Sequence, residues 1–268
     1  MKFSKIISNS FKYPFSGKEL IFPFLLFVLA IILPLGFISD NNIVMILGLI
    51  SLIIFIFILP GYMLSVVKNG TKESFKIPKV SLKKNFIDTL KIIVLDIVYS
   101  IIPIVLFLVL IPVGGILSLS LNDLNSFLVQ WGVILGIIAI VFVIFSILQF
   151  IATARLAHYD SLSKAVDFTQ SYRDLRNIGV LKVLGVFLII PILTSIIEFI
   201  CFSLSMFVPY VGLLVYFCII IPIVCLIRAF SLGLLYSDGS NDDYGSGDDF
   251  DFDEFEKDVQ KIKYGRLY

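Results

Sequence analysis

Cysteine, histidine and tryptophan are scarce in this chain of 268 residues, which holds three Cys, one His and one Trp. Cys201, Cys218 and Cys225 lie in apolar runs and form no C-x-x-C, so no disulfide framework is expected and the thiols read as small buried hydrophobes. His158 stands alone, with no carboxylate cluster around it, which argues for a surface position and against a metal site. Charge is sparse as well, at 15% of residues against about 25% in an ordinary soluble domain. There is no H-E-x-x-H, P-loop, G-x-S-x-G or G-x-G-x-x-G. Their absence argues against the common hydrolases and nucleotide enzymes. No catalytic residue, cofactor, metal or nucleic-acid partner is expected.

What the chain has in abundance is apolar surface. Hydrophobic residues make up 59% and the mean hydropathy is +1.02. A soluble chain of this composition would expose too much apolar area to stay dissolved, so the fitting solvent is a lipid bilayer. About 20 apolar residues cross a hydrocarbon core roughly 30 Å thick. Six stretches qualify, near 20–39, 43–67, 92–112, 129–154, 180–205 and 210–236. Their continuous hydrophobicity, without period-two alternation, favours helices over barrel strands. The expected fold class is therefore an all-α membrane protein with six transmembrane helices. The N-terminus lacks a compact apolar core with a small-residue cleavage site, so the first span is expected to insert as an uncleaved anchor.

The net charge of +1 conceals a sorting. Lysines and arginines fall in the N-terminal segment, between spans 2 and 3, between spans 4 and 5, and after span 6, counting its last turns at Arg228. These four places hold all 21 of them. Between Gly61 and Lys91 alone stand Lys68, Lys72, Lys76, Lys79, Lys83, Lys84 and Lys91. The alternate connections, ISDNN near 40, SLNDLNS near 122 and MFVPY near 208, hold none. Cytoplasmic loops carry the excess of Lys and Arg. Both termini are therefore expected in the cytoplasm, with the lysines within reach of anionic headgroups.

Three basic, partly apolar segments precede spans 1, 3 and 5, each followed by a proline about a dozen residues into its span: 8–34, 81–103 and 171–191. The pattern suggests an interfacial segment plus a helical hairpin, used three times. Phe3, Ile6, Ile7 and Phe11 share one helical face. Leu82, Phe86, Leu90 and Ile93 share a second, and Leu162, Val166 and Tyr172 a third. Such amphipathic helices lie in the headgroup plane.

Asp96 and Glu198 are the acids inside the spans, where an ionisable group is costly and is a candidate for proton or cation handling. Tyr99, one turn after Asp96, is placed to donate to it. Gly132 and Gly136 form a G-x-x-x-G, the spacing that lets helix backbones approach within a chain or between copies. Prolines at 34, 60, 103, 112, 191 and 222 are expected to kink the helices. The membrane domain is expected over 1–236. The tail, 237–268, begins Ser-Asp-Gly-Ser and holds ten of the chain's 20 acids, all between Asp238 and Asp258. It reads as a solvated cytoplasmic segment. Phe250, Phe252 and Phe255 give it a means of docking, on the basic loops of its own chain or on a cytoplasmic protein partner. Its Asp249, Asp251 and Asp253 have calcium-loop spacing, but Glu254 and Gln260 stand where that loop needs Gly and Glu.

The segments FKYPFS, PGYMLSVVKNG with Pro78, FIDTLKIIVLDIVYSIIP and ARLAHYDSLSKAVDFTQSYRDLR resemble the multi-pass family catalogued as domain of unknown function 4013. The resemblance spans roughly Phe11 to Tyr236 and departs from the family's Asp-Gly at Asp88-Thr89. It implies an uncharacterised integral membrane protein of an archaeal cell membrane, with no substrate, catalytic residue or cofactor to carry over. Two functions fit: a non-enzymatic scaffold or partner-binding protein, single or oligomeric, or a transporter or channel-like protein that uses Asp96 and Glu198.

Overall fold

The computed structural model describes residues 2–17, 21–39, 41–118, 124–208 and 211–240. Everything regular within them is helical: α1 (Phe3–Lys12), α2 (Ile21–Ser39), α3 (Asn42–Thr71), α4 (Leu82–Ser118), α5 (Leu124–Tyr159), α6 (Leu162–Val166), α7 (Phe168–Ile178), α8 (Val180–Ser205), α9 (Val211–Val215) and α10 (Ile221–Ser240). A 3₁₀ turn, Tyr13–Phe15, follows α1, and a π-helical turn, Tyr216–Ile220, joins α9 to α10. Five helical stretches are long and apolar enough to cross a membrane: Asn42–Thr71, Leu82–Gly115, Leu128–Tyr159, Val180–Ser205 and Val211–Gly239. The chain is thus a multi-pass helical membrane protein. The expected tail lies outside the described residues beyond Ser240, and α10 itself runs four residues past the boundary expected at Tyr236.

The helices overrun their apolar stretches at the lysine-bearing end, because nothing in the sequence breaks them there. α4 is the clearest case. The amphipathic segment from Leu82 was expected to lie along the membrane surface, yet no glycine or proline separates it from the span, and one helix of 37 residues runs through both. At about 1.5 Å per residue it is some 55 Å long, well over a hydrocarbon core. The third connector does break. Asp167 caps α7, its carboxylate accepting from the amides of Thr169 (2.9 Å) and Gln170 (3.1 Å). Gly179, at φ +98°, then turns the chain from α7 into α8. α3 ends in a Schellman turn, with Ser74 N–H donating to the Asn69 carbonyl (2.9 Å) and Glu73 N–H to that of Gly70 (3.0 Å).

Burial is uneven along the helices. Tyr62, Leu64, Val66 and Val67 of α3, Leu95 and Tyr99 of α4, Ile151 to Ala157 of α5, Val183, Val186 and Ile190 of α8 and Leu226 to Tyr236 of α10 supply most of the core. All of these belong to the lysine-bearing halves. α1 closes that end: Ile6 and Tyr13 are fully buried, and the Tyr13 ring stacks on Phe230 at 3.9 Å. The opposite halves expose most of the apolar side chains within Ile43 to Ile56, Ile101 to Val113, Leu128 to Ile144 and Ile192 to Leu204. Apolar side chains there lose nothing by facing lipid tails instead of one another.

Close helix approach is set by glycines other than those of the G-x-x-x-G. α3 and α10 cross where Gly70 meets Gly233. A Cβ on Gly70 would stand 2.7 Å from the Phe230 carbonyl oxygen and 2.8 Å from the Gly233 Cα. Gly61 lies against the Asn85 carbonyl of α4, and its N–H donates to Thr89 Oγ1 at 2.9 Å. Asp88-Thr89 is accordingly a helical step that bonds α3. A Cβ on Gly132 or Gly136 would meet nothing within 4 Å. Neither glycine brings α5 against another described helix of its own chain.

Candidate functional site

The two intramembrane acids sit on different helix pairs. Asp96 projects from α4 and accepts from Gln149 Nε2 of α5 at 2.7 Å. Tyr99 does not serve it, despite the one-turn spacing. The Tyr99 ring is fully buried and points at the α6–α7 connector. Its hydroxyl meets the Ala165 carbonyl at 3.2 Å and Ser171 Oγ at 2.8 Å. Ring packing decides the direction, since Tyr99 lies 4.4 Å from Phe168, whereas Asp96 points toward α5.

Glu198 projects from α8 and meets Arg228 of α10, Oε2 to Nη2 at 3.1 Å. Arg228 also donates to Thr194 Oγ1 (2.8 Å) and Ser195 Oγ (3.3 Å). The sequence placed Arg228 with the charges at the cytoplasmic end. It stands instead ten residues, about 15 Å of helix, short of Asp238, which bonds Lys182 at the start of α8. Arg228 therefore lies deep in its span. An unpaired arginine there would be costly, and these three acceptors on one face of α8 offset that cost. The π turn Tyr216–Ile220 precedes Pro222 in the same helical stretch. Proline has no N–H for the α-helical ladder, and a widened turn accommodates its loss.

A denser polar layer, not singled out in the sequence, occupies the lysine-bearing end. Arg155, 3% exposed, pairs with Asp174 at 2.5 Å and donates from Nε to the Lys164 carbonyl at 3.2 Å. Tyr236 donates to the same Asp174 oxygen at 2.8 Å. These bonds lock α5, α7 and α10 together. Nearby, Asp160 accepts from Lys91 Nζ (2.6 Å) and Lys68 Nζ (3.0 Å), and Lys91 also lies 3.4 Å from Asp88. The hydrogen bond from Lys91, with a second from Lys68, holds the Asp160 carboxyl below its ordinary range. Asp160 has φ +53° and ends α5, so helix termination and ion pairing meet in one residue. His158 is exposed, its ring beside Tyr159 and Tyr236.

The thiols are free: Cys218 is buried, and Cys201 and Cys225 are half-buried. Among the described residues no group of three or more His, Cys, Asp or Glu side chains could hold a metal ion. The geometry defines paired, immobilised charges within a helical bundle.

A multi-pass architecture with these paired polar groups sets the class, and sequence comparison sets the family. Residues 44–206 match the family described as "Protein of unknown function (DUF4013)", which is over half the chain, and the protein belongs to that family. The matched region is shorter than the Phe11–Tyr236 span of the motif resemblance. It runs from the start of α3 to the end of α8 and includes Asp96, Tyr99, Gly132, Gly136 and Glu198, but neither Arg228 nor Tyr236. No curated protein and no solved structure matches the chain.

Proposed function

We propose that the chain is a non-enzymatic membrane scaffold that binds a partner from the cytoplasmic side of the cell membrane. α2, 19 residues and about 28 Å long, serves as a sixth span beside the five longer helices. Both termini then lie in the cytoplasm with the lysine-rich end, where the lysines face anionic headgroups. Three units of basic segment plus hairpin make up the membrane domain, in the archaeal setting that the family resemblance implies. The acidic tail, 241–268, offers a complementary surface to a basic cytoplasmic protein.

One observation carries this reading over transport. Asp96 is engaged between α4 and α5, while Glu198 is engaged between α8 and α10, each with a fixed partner at hydrogen-bond distance. A conduction path is better served by acids that share one water-filled route. The test has two arms. Glu198→Gln in reconstituted vesicles leaves proton and cation flux unchanged on the scaffold reading, and a flux lost with that substitution replaces scaffold by transporter. Truncation after Ser240 releases a protein that co-purifies with the full chain from native membranes. An identical set of co-purifying proteins contradicts partner binding through the tail.

A further inference from the structure

The N-terminal helix and the α3–α4 loop form an open groove whose occupant can be argued from the same chain. Its volume is about 670 Å³, and it is lined by Ile7, Phe11, Phe15 and Phe75, with Lys12 and Ser16 at its polar edge. Its walls are fixed to each other. Ser16 Oγ donates to the Phe75 carbonyl at 2.8 Å, and Tyr13 Oη donates to the Lys76 carbonyl at 3.3 Å. Phe15 is nonetheless 70% exposed and Phe75 37%. Lys12, Lys72, Lys76 and Lys79 are exposed on the segments that form the groove, with Glu73 as the acid among them. The site is aromatic within and cationic around the rim.

Residues 248–256, DDFDFDEFE, have the opposite character: three phenylalanines separated by six acids. Reach is satisfied. Ser237 Oγ of α10 lies 3.5 Å from Glu73 Oε1, and Glu73 is two residues from Phe75. The last described residue of α10, Ser240, is therefore within about 20 Å of the groove. Seven residues, the number in 241–247, NDDYGSG, can reach at most about 25 Å. A tether of that length holds its cargo near millimolar effective concentration.

We propose that residues 248–256 of the tail dock intramolecularly in the groove between α1 and the 72–76 loop. Phe252 and its neighbouring phenylalanines enter among Phe11, Phe15 and Phe75, and the flanking acids meet the rim lysines. This goes beyond the partner-binding reading and does not depend on it. In the docked state the acidic segment is covered by its own chain, and a basic partner has to compete for it.

The full chain in anionic-lipid nanodiscs, with a photoreactive benzoylphenylalanine in place of Phe15, tests this directly. Isotopically mixed chains distinguish cross-links within a chain from those between copies. The expected product joins position 15 to residues 248–256 of the same chain. It is lost in Phe252→Ala/Phe255→Ala, and in about 1 M salt, where the Debye length falls to about 3 Å. The same photoreactive group at Lys12 repeats the measurement should the substitution at Phe15 disturb the fold. Cross-links to lipid alone, to the tail of another copy, or to no tail residue overturn the proposal.

Discussion

The two ends of the helical bundle are held by different means. At the lysine-bearing end, buried tyrosines, an Arg155–Asp174–Tyr236 network and glycine-mediated helix crossings pin α1, α3, α4, α5, α7, α8 and α10 together. At the far end the same spans present isoleucine, leucine, valine and phenylalanine outward, and a Cβ added to Gly132 or Gly136 would touch nothing. Lipid accounts for the contrast. Where helices are surrounded by hydrocarbon, apolar side chains gain little by packing together, so tight association needs close backbones or hydrogen bonds. Both devices are concentrated at one end. The Arg228–Glu198 pair is the main polar clasp between that layer and the far end.

The strongest way to break this comparison is to add one methyl group at each end. Gly233→Ala forces a Cβ into the α3 backbone at Val67 and Gly70 and is expected to cost 3 kcal/mol or more, about the upper range for overpacking. Gly132→Ala is expected to be neutral, or stabilising by up to about 1 kcal/mol through helix propensity. Thermal unfolding in matched detergent checks both. Equal effects would abolish the distinction.

Next comes the buried ion pair. Asp174→Ala strands the Arg155 guanidinium and the Tyr236 hydroxyl, at a cost of about 3–5 kcal/mol. Arg155→Met/Asp174→Leu, which removes both charges together, is expected to recover a substantial part of that loss. Failure to recover would mean that the pair contributes attraction rather than mutual neutralisation.

The clasp is expected to matter less, because Arg228 keeps two hydroxyl acceptors when Glu198 is neutralised. Glu198→Gln is expected to cost about 1–2 kcal/mol, and a double-mutant cycle with Arg228→Gln should show coupling of at least about 0.5 kcal/mol. Absence of coupling would remove the clasp.

The smallest effect is that of Asp160, which is half exposed and screened by water, so Asp160→Asn is expected to cost under about 1 kcal/mol. Because folding lowers its pKa, its contribution is present above the unfolded value near 3.9 and is lost as pH falls through the lower folded value. Wild type and Asp160→Asn should therefore converge in stability as pH drops below about 4. A gap that widens instead would reverse the sign of the linkage.

The spans were legible because a run of some 20 apolar residues has few other readings: five sequence stretches correspond to the five long apolar helices. Helix ends were less legible. Hydropathy marks where lipid stops, whereas a helix stops only at a breaker, and none stands between Leu82 and the span of α4. The candidate polar residues were found by type and misjudged by partner. Spacing alone paired Tyr99 with Asp96, but aromatic packing against Phe168 turns Tyr99 toward Ser171, and Gln149, 53 residues on, takes Asp96. Arg228 was counted as an end charge, since only the antiparallel register of α8 and α10 shows that it lies opposite Thr194 and Glu198. Gly70 and Gly233, 163 residues apart, could be joined only by the fold.

The central claim is that the lysine-bearing end and the far end open into different aqueous compartments. With Cys201, Cys218 and Cys225 replaced by serine, Asn42→Cys and Lys83→Cys can be labelled in right-side-out vesicles with a membrane-impermeant maleimide. The account predicts immediate labelling at position 42, and labelling at position 83 only after the membrane is permeabilised. Labelling of both positions from one side of the intact membrane would contradict it.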